Sequence, residues 1–184
     1  NNNLSYTVFE YTGTSDASTD RVLDFNDTTG DVYLRNSGGA KITYSADLDR
    51  AAAATAAQEI LFQPTSGSTI EFSGALSDGA GAAMPMRTTG PGTTMLRGAN
   101  TYSGETSHND GTLLINGTHT GGSNVAVAAS ATLGGNGSIG LAAGNDVTVN
   151  SAASLAPGDP DTASGVGTLT VNGDLDFQSG AIYA

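Results

Sequence analysis

The sequence predicts an all-β solenoid, a parallel β-helix with coils of about 22 residues, and three observations carry that prediction. Gly, Ala, Thr, Ser and Asn supply 107 of the 184 residues, while charged residues make up only 13%. Such a vocabulary favours strands and turns over exposed helices. Val125, Val147 and Leu169 are evenly spaced, and Val127, Val149 and Val171 repeat the same interval, as do Leu133, Leu155 and Phe177. Within a unit the alternation apolar-x-apolar marks a strand with one buried face. Gly134-Gly135, Pro157-Gly158 and Asn172-Gly173 then provide turns between strands. A unit this short cannot bury its apolar side alone, so neighbours must stack around a shared interior. A β-sandwich competes, because Asn116-Gly117, Asn136-Gly137 and Asn172-Gly173 also suit hairpins. It gives no reason for three columns to keep one spacing.

Taken in order, the first half reads mainly as short strands. Leu4 to Phe9, Arg21 to Phe25, Val32 to Leu34, Ile42 to Tyr44, Ile60 to Phe62 and Ile70 to Phe72 are β-branched or aromatic and are bounded by Gly, Asn, Asp or Ser. The exception is Asp47 to Gln58, where early acids precede an alanine run, and a short helix is expected there. Eight of the eleven Phe and Tyr residues precede position 73. Residues 1–97 are therefore expected to form a less regular, aromatic-richer part, acting as a cap, and 98–184 a regular repeat. No Pro-rich or charged linker separates them.

Charge narrows the partners. Six Lys and Arg face 18 Asp and Glu, a net charge of −12, which argues against nucleic acid or an anionic membrane. No apolar run approaches the length of a membrane span, and the absence of Cys excludes disulfides and thiolate chemistry. All six cations lie at or before Arg97. The second half therefore has no Lys or Arg with which to form a salt bridge within itself.

Candidate chemistry is sparse. A polysaccharide-active β-helix needs paired carboxylates, and Asp174 with Asp176, or Asp159 with Asp161, would share one side of a strand. With no cation after Arg97 beside them, they read as solvated outward positions. His108 and His119 sit in polar, turn-rich sequence and read as exposed loop residues, with no placed Ser to make a nucleophile pair. Asp24 to Gly30 resembles the start of a calcium loop, but its glycine falls one place late and Arg35 stands where a bidentate Glu is required. Gly134 to Ile139 resembles a nonapeptide calcium turn with Ser138 at the Asp position. Phosphate loops lack Gly-Lys-Ser/Thr, and Ala126, Thr148 and Thr170 form only a partial threonine ladder. Asn3, Asn26, Asn116 and Asn136 head Asn-x-Ser/Thr triplets of the kind an Asn- and Thr-rich chain produces by chance. No catalytic residue, cofactor or metal is expected.

Gly98-Ala99-Asn100-Thr101-Tyr102-Ser103-Gly104-Glu105-Thr106 followed by Gly111-Thr112-Leu113-Leu114-Ile115-Asn116-Gly117 resembles the autotransporter-associated β-strand repeat. Ala131 to Gly135, Ser154 to Gly158 and Gly167 to Leu175 continue in that style, and the resemblance spans about residues 66 to 184. Met84-Pro85-Met86-Arg87 and Thr94-Met95-Leu96-Arg97 depart from it. The resemblance implies a right-handed β-helix in the exposed passenger of a large bacterial protein. The role expected is a non-enzymatic extracellular structural or adhesive segment, with a filament or layer subunit as its nearest variant. The alternative is a polysaccharide-active enzyme or carbohydrate-binding module on the same scaffold. Partners are expected to be copies of the chain or adjoining solenoid domains, docking on exposed strand edges, together with carbohydrate or cell-surface receptors. Ala181 to Ala184 reads as an uncapped strand, and the natural protein is expected to continue beyond it or to dock a partner there.

Overall fold

The computed structural model describes residues 6–23, 30–49, 58–162 and 165–184. They form a parallel β-helix with eight coils and up to three strands per coil. The first face stacks Tyr6–Tyr11, Asp31–Asn36, Ile60–Pro64, Met86–Thr88, Thr106–His108, Val125–Val127, Asp146–Val149 and Asp174–Phe177 in chain order. The second stacks Ala17–Thr19, Lys41–Tyr44, Thr69–Phe72, Thr93–Leu96, Thr112–Ile115, Thr132–Gly135, Ser154–Pro157 and Ile182–Tyr183. The third face carries Leu48–Asp49 paired with Leu76–Ser77, then a sheet of Ala99–Asn100, Thr118–Gly122, Ser138–Leu141 and Thr170–Asn172. All these strand pairings are parallel.

Alternation decides which side chains fill the interior. On the first face Leu34, Phe62, Thr88, His108, Val127 and Val149 stand over one another, each buried. On the second, Ile42, Ile70, Thr94, Leu113, Leu133 and Leu155 form the equivalent stack. Burying a Leu, Ile or Val in such a stack contributes roughly 1.5–3 kcal/mol. Bulk shifts along the axis. Tyr44, Phe62 and Phe72 pack as stacked and edge-on rings in the second and third coils, whereas the sixth and seventh are filled by Val, Leu, Ile and Ala.

The corner between the second and third faces has a fixed length. One interval separates the inward positions at Ile42 to Leu48, Ile70 to Leu76, Thr94 to Asn100, Leu113 to His119 and Leu133 to Ile139. Gly74, Gly98, Gly117 and Gly137 turn this corner in successive coils. A Cβ on each would lie only 2.1, 1.9, 2.1 and 2.0 Å from a carbonyl oxygen of the coil before. Backbones thus approach where no side chain fits. The Asn-Gly pairs at 116–117 and 136–137 are coil corners rather than hairpins.

The structure corrects three expectations about elements. Coil length is not constant: the first-face partners run Met86, Thr106, Val125, Val147 and Leu175, at unequal intervals of which the last is the longest. Val125 over Val147 and Leu133 over Leu155 hold, but Leu175 and Tyr183, not Leu169 and Phe177, continue those columns. Leu169 instead precedes the third-face strand Thr170–Asn172, and Val171 stands over Ile139. The helix expected from Asp47 begins instead as the strand Leu48–Asp49, because Leu48 is drawn over Leu76 at the fixed corner spacing. Its remainder, residues 50–57, lies outside the described residues. Arg21 to Leu23 has no strand pairing, and residues 24–25 lie outside the description.

Candidate functional site

Both histidines are interior residues, contrary to the loop reading. His108 follows the inward alternation of Thr106–His108 and is fully buried. Its Nε2 lies 2.9 Å from the Thr132 carbonyl oxygen, so Nε2 donates and Nδ1 accepts from the Thr88 hydroxyl. Burial holds its pKa down at about 4, against the opposing pull of the Thr132 and Gly111 backbone bonds and Asp110. His119 occupies the third-face column between Asn100 and Ile139. Its ring stacks on Tyr102, and neither ring nitrogen has a hydrogen-bond partner. Burial lowers its pKa to about 4 as well, opposed only by the carboxylate of Asp78. Both imidazoles are neutral at pH 7, and neither faces solvent.

The paired carboxylates separate into two situations. Asp174 and Asp176 are exposed on the last first-face strand. Asp174 stands beside Asp146, and Asp176 accepts a bond from Gln178 Nε2 at 2.6 Å. Asp159 differs: its carboxylate is 2% exposed, whereas the sequence predicts a solvated position. Asn116 Nδ2 donates to its Oδ2 at 2.8 Å, Arg97 Nη2 lies 3.4 Å from the same oxygen, and the Asp161 amide donates to Oδ1 at 2.9 Å. Asp161 is exposed, 3.8 Å from Arg97.

This cluster exists because the seventh coil breaks the corner rule. The interval from Leu155 to Val171 is far longer than the shared interval of the five other corners, such as Leu133 to Ile139. The described parts of the extra segment, 158–162 and 165–167, form a strap that turns back along the second face, and residues 163 and 164 lie outside the description. Gly135 and Gly158 exchange backbone bonds of 2.8 and 2.9 Å in antiparallel fashion. The strap's exit and return meet at Gly158, where a Cβ would lie 2.0 Å from the Gly165 oxygen. On the second face the outward-facing side chains Glu71, Met95 and Leu114 stand in register and are nonetheless buried. Leu114 shares a cleft with Pro157, Pro160 and Val166. Charges alternate along the same line, from Lys41 to Glu71 at 3.4 Å, Glu71 to Arg97 at 3.2 Å, and Arg97 to Asp159. Sequence reasoning misses the strap. The one signal that could mark it is the Asp-Pro-Asp stretch at 159–161, which lies outside any alternating pattern.

Only one of the two calcium-like stretches falls wholly within the described residues. Residues 24–29 lie outside the described residues, and Gly134 to Ile139 is a second-face strand end, a corner and a third-face strand with no carboxylate. Among the described residues no group of three His, Asp or Glu side chains is placed to hold a metal. The threonine ladder ends early, because Thr148 stands beside Asp176 while Thr170 stands beside Ser138.

Among the described residues, the exposed large hydrophobic side chains lie mainly on the two terminal coils. Tyr6–Tyr11 pairs, among the described residues, on one side only, with Tyr6, Val8 and Phe9 exposed. Above the core, Phe9, Tyr11, Leu23, Ile42 and Tyr44 line a cleft of about 570 Å³. At the opposite end Leu175, Phe177, Ile182 and Tyr183 continue the strand stacks yet are exposed, with Phe177 and Tyr183 in edge-on contact. Among the described residues, each end therefore presents apolar column tops beside unpaired strand edges. Compared with protein-family models, curated proteins and solved structures, the chain matches none of them.

Proposed function

We propose that this chain is a non-enzymatic, extracellular structural or adhesive β-solenoid segment of a bacterial surface or secreted protein, and that it joins further coils end to end. The observation that carries this reading is the register of the stack. Strand stacks continue from the first coil to the eighth and present Leu175, Phe177, Ile182 and Tyr183 at one end and Tyr6, Val8 and Phe9 at the other. A continuing coil, whether of the same polypeptide or of a second copy, would cover these side chains and pair the edge strands. The repeat phrases that resemble autotransporter passengers support the location. Their glycines and asparagines have places in the stack: Gly98 and Gly117 at the tight corner, and Asn100 bridging the backbones of neighbouring coils.

The test is sedimentation velocity and negative-stain electron microscopy of the purified chain across a concentration series, beside a Leu175→Asp, Tyr183→Asp variant. End-to-end rods that lengthen with concentration and are lost in the variant are the expected result. Particles of one length at every concentration, alike in both proteins, would refute coil addition between copies. Turnover of a polysaccharide that is abolished by Asp174→Asn or Asp176→Asn would refute the non-enzymatic reading.

A further inference from the structure

We infer that the strap, through its residues 158–162, is an axial staple, which forces the third to seventh coils to open together instead of peeling away one at a time. In a solenoid each coil touches only its neighbours, so opening can start at an end and stop at any boundary. The strap breaks that rule. It leaves the seventh coil after Pro157 and places Asp159 against Arg97 of the fourth coil and Asn116 of the fifth, at 3.4 and 2.8 Å. Arg97 in turn holds Glu71 of the third coil at 3.2 Å. Asp161 reaches further, to a cleft it lines with Asp16, Lys41, Gly67 and Thr69 from the first three coils.

Two features make these contacts matter for cooperativity. Asp159 is nearly solvent-free, so lifting the strap separates a buried carboxylate from its cation and its amide donor at once. Lifting it also uncovers Leu114, an outward-facing side chain that is 2% exposed and shares a cleft with Pro160 and Val166 of the strap. The seventh coil cannot leave the sixth without doing both. Chain length supports a distinct role for the segment. Excising it would restore the short corner that five other coils share, so nothing in the coil itself requires it.

Native-state hydrogen exchange on the full chain tests the inference, with three amides as reporters. Ser154 donates to Ala131, Thr132 to Gly111 and Thr112 to Gly92, reporting the seventh, sixth and fifth coils. The wild-type chain is expected to exchange all three with one denaturant dependence. In a variant with 158–169 replaced by Asn-Gly, the pair that turns the preceding corner, Ser154 and Thr132 should exchange at least tenfold faster than Thr112. Asp159→Asn keeps the strap and removes its charge. It should separate the same amides by about threefold, and it reports even if the replacement variant does not fold. The inference is overturned if the three amides already exchange with different denaturant dependences in the wild type, or if they stay together in Asp159→Asn.

Discussion

The ring of Tyr102 lies 4.4 Å from that of His119, centroid to centroid and tilted by 26°, inside the solenoid where the third face turns toward the first. Tyr102 is fully buried, and its hydroxyl pairs with that of Thr106 at 2.8 Å. Its partner has no such outlet, because both nitrogens of His119 are buried without a hydrogen bond. The stack contributes on the order of 1 kcal/mol, while an unsatisfied buried polar group costs about 1–3 kcal/mol. His119 is therefore tolerated for its shape and is a weak point of the core.

Acid should exploit that weakness. Both His108 and His119 have folded-state pKa values of about 4, below the ordinary 6.5. Between those values the unfolded chain binds protons that the folded chain refuses, so stability falls as pH falls. The histidine contribution is fully present above pH 6.5 and is lost progressively down to about pH 4. Urea midpoints measured from pH 8 to pH 4 should drop across that window. His119→Phe, which keeps a ring against Tyr102, should flatten part of the drop and raise the midpoint at pH 5. An equal slope in the variant would mean that His119 is protonated without penalty.

The glycine corner separates two kinds of glycine. Gly117→Ala would push a Cβ to 2.1 Å from the Gly98 oxygen, a clash with backbone of the adjacent coil. Relief requires the coils to part, and a loss of about 3 kcal/mol or more is expected. Gly144 has φ of +86°, but nothing lies within 4 Å of where its Cβ would stand. Its change to Ala should cost only local strain, about 1 kcal/mol. Chemical denaturation of the two variants side by side measures the difference, and equal losses would refute close coil approach as the role of Gly117.

Legibility in the sequence follows regularity. The fifth and sixth coils are readable because Leu113 to Leu133, Val125 to Val147 and Leu133 to Leu155 recur at nearly one spacing. The same comparison, made at the interval between Leu113 and Leu133, sets His119 over Ile139 and marks it as interior. Polar neighbours conceal this, since inward and outward residues alternate and outward Thr and Gly dominate the local composition. The third column fails for a different reason. The strap lengthens the seventh coil, and the third-face alternation of Leu169 and Val171 happens to fall at the expected spacing. An insertion of Gly, Asp, Pro, Ser and Thr has the composition of the turns around it, so only the Asp-Pro-Asp stretch at 159–161 sets it apart. Nor can pattern alone reveal that Asp159 finds Arg97, three coils earlier.

Asn100 tests whether a polar side chain can be an essential part of this interior. It is 1% exposed, and its Oδ1 accepts from the Leu76 amide at 3.1 Å while Nδ2 donates to the carbonyls of Gly98 and Thr118, both at 3.2 Å. The side chain thus ties its own corner to the coils on either side, at the place where the two-stranded sheet gives way to the four-stranded one. Asn100→Ala leaves the Leu76 amide without its acceptor and opens a small void, and together these should cost about 2–4 kcal/mol. Asn100→Asp keeps the acceptor but loses the donor and buries a charge, so it should be at least as damaging at pH 7, and its deficit relative to the wild type at the same pH should shrink as the pH falls toward 4. Denaturation midpoints at pH 7 and pH 4.5 distinguish these outcomes. A loss below about 1 kcal/mol in the Ala variant would show that water replaces the amide and that the coil junction does not depend on it.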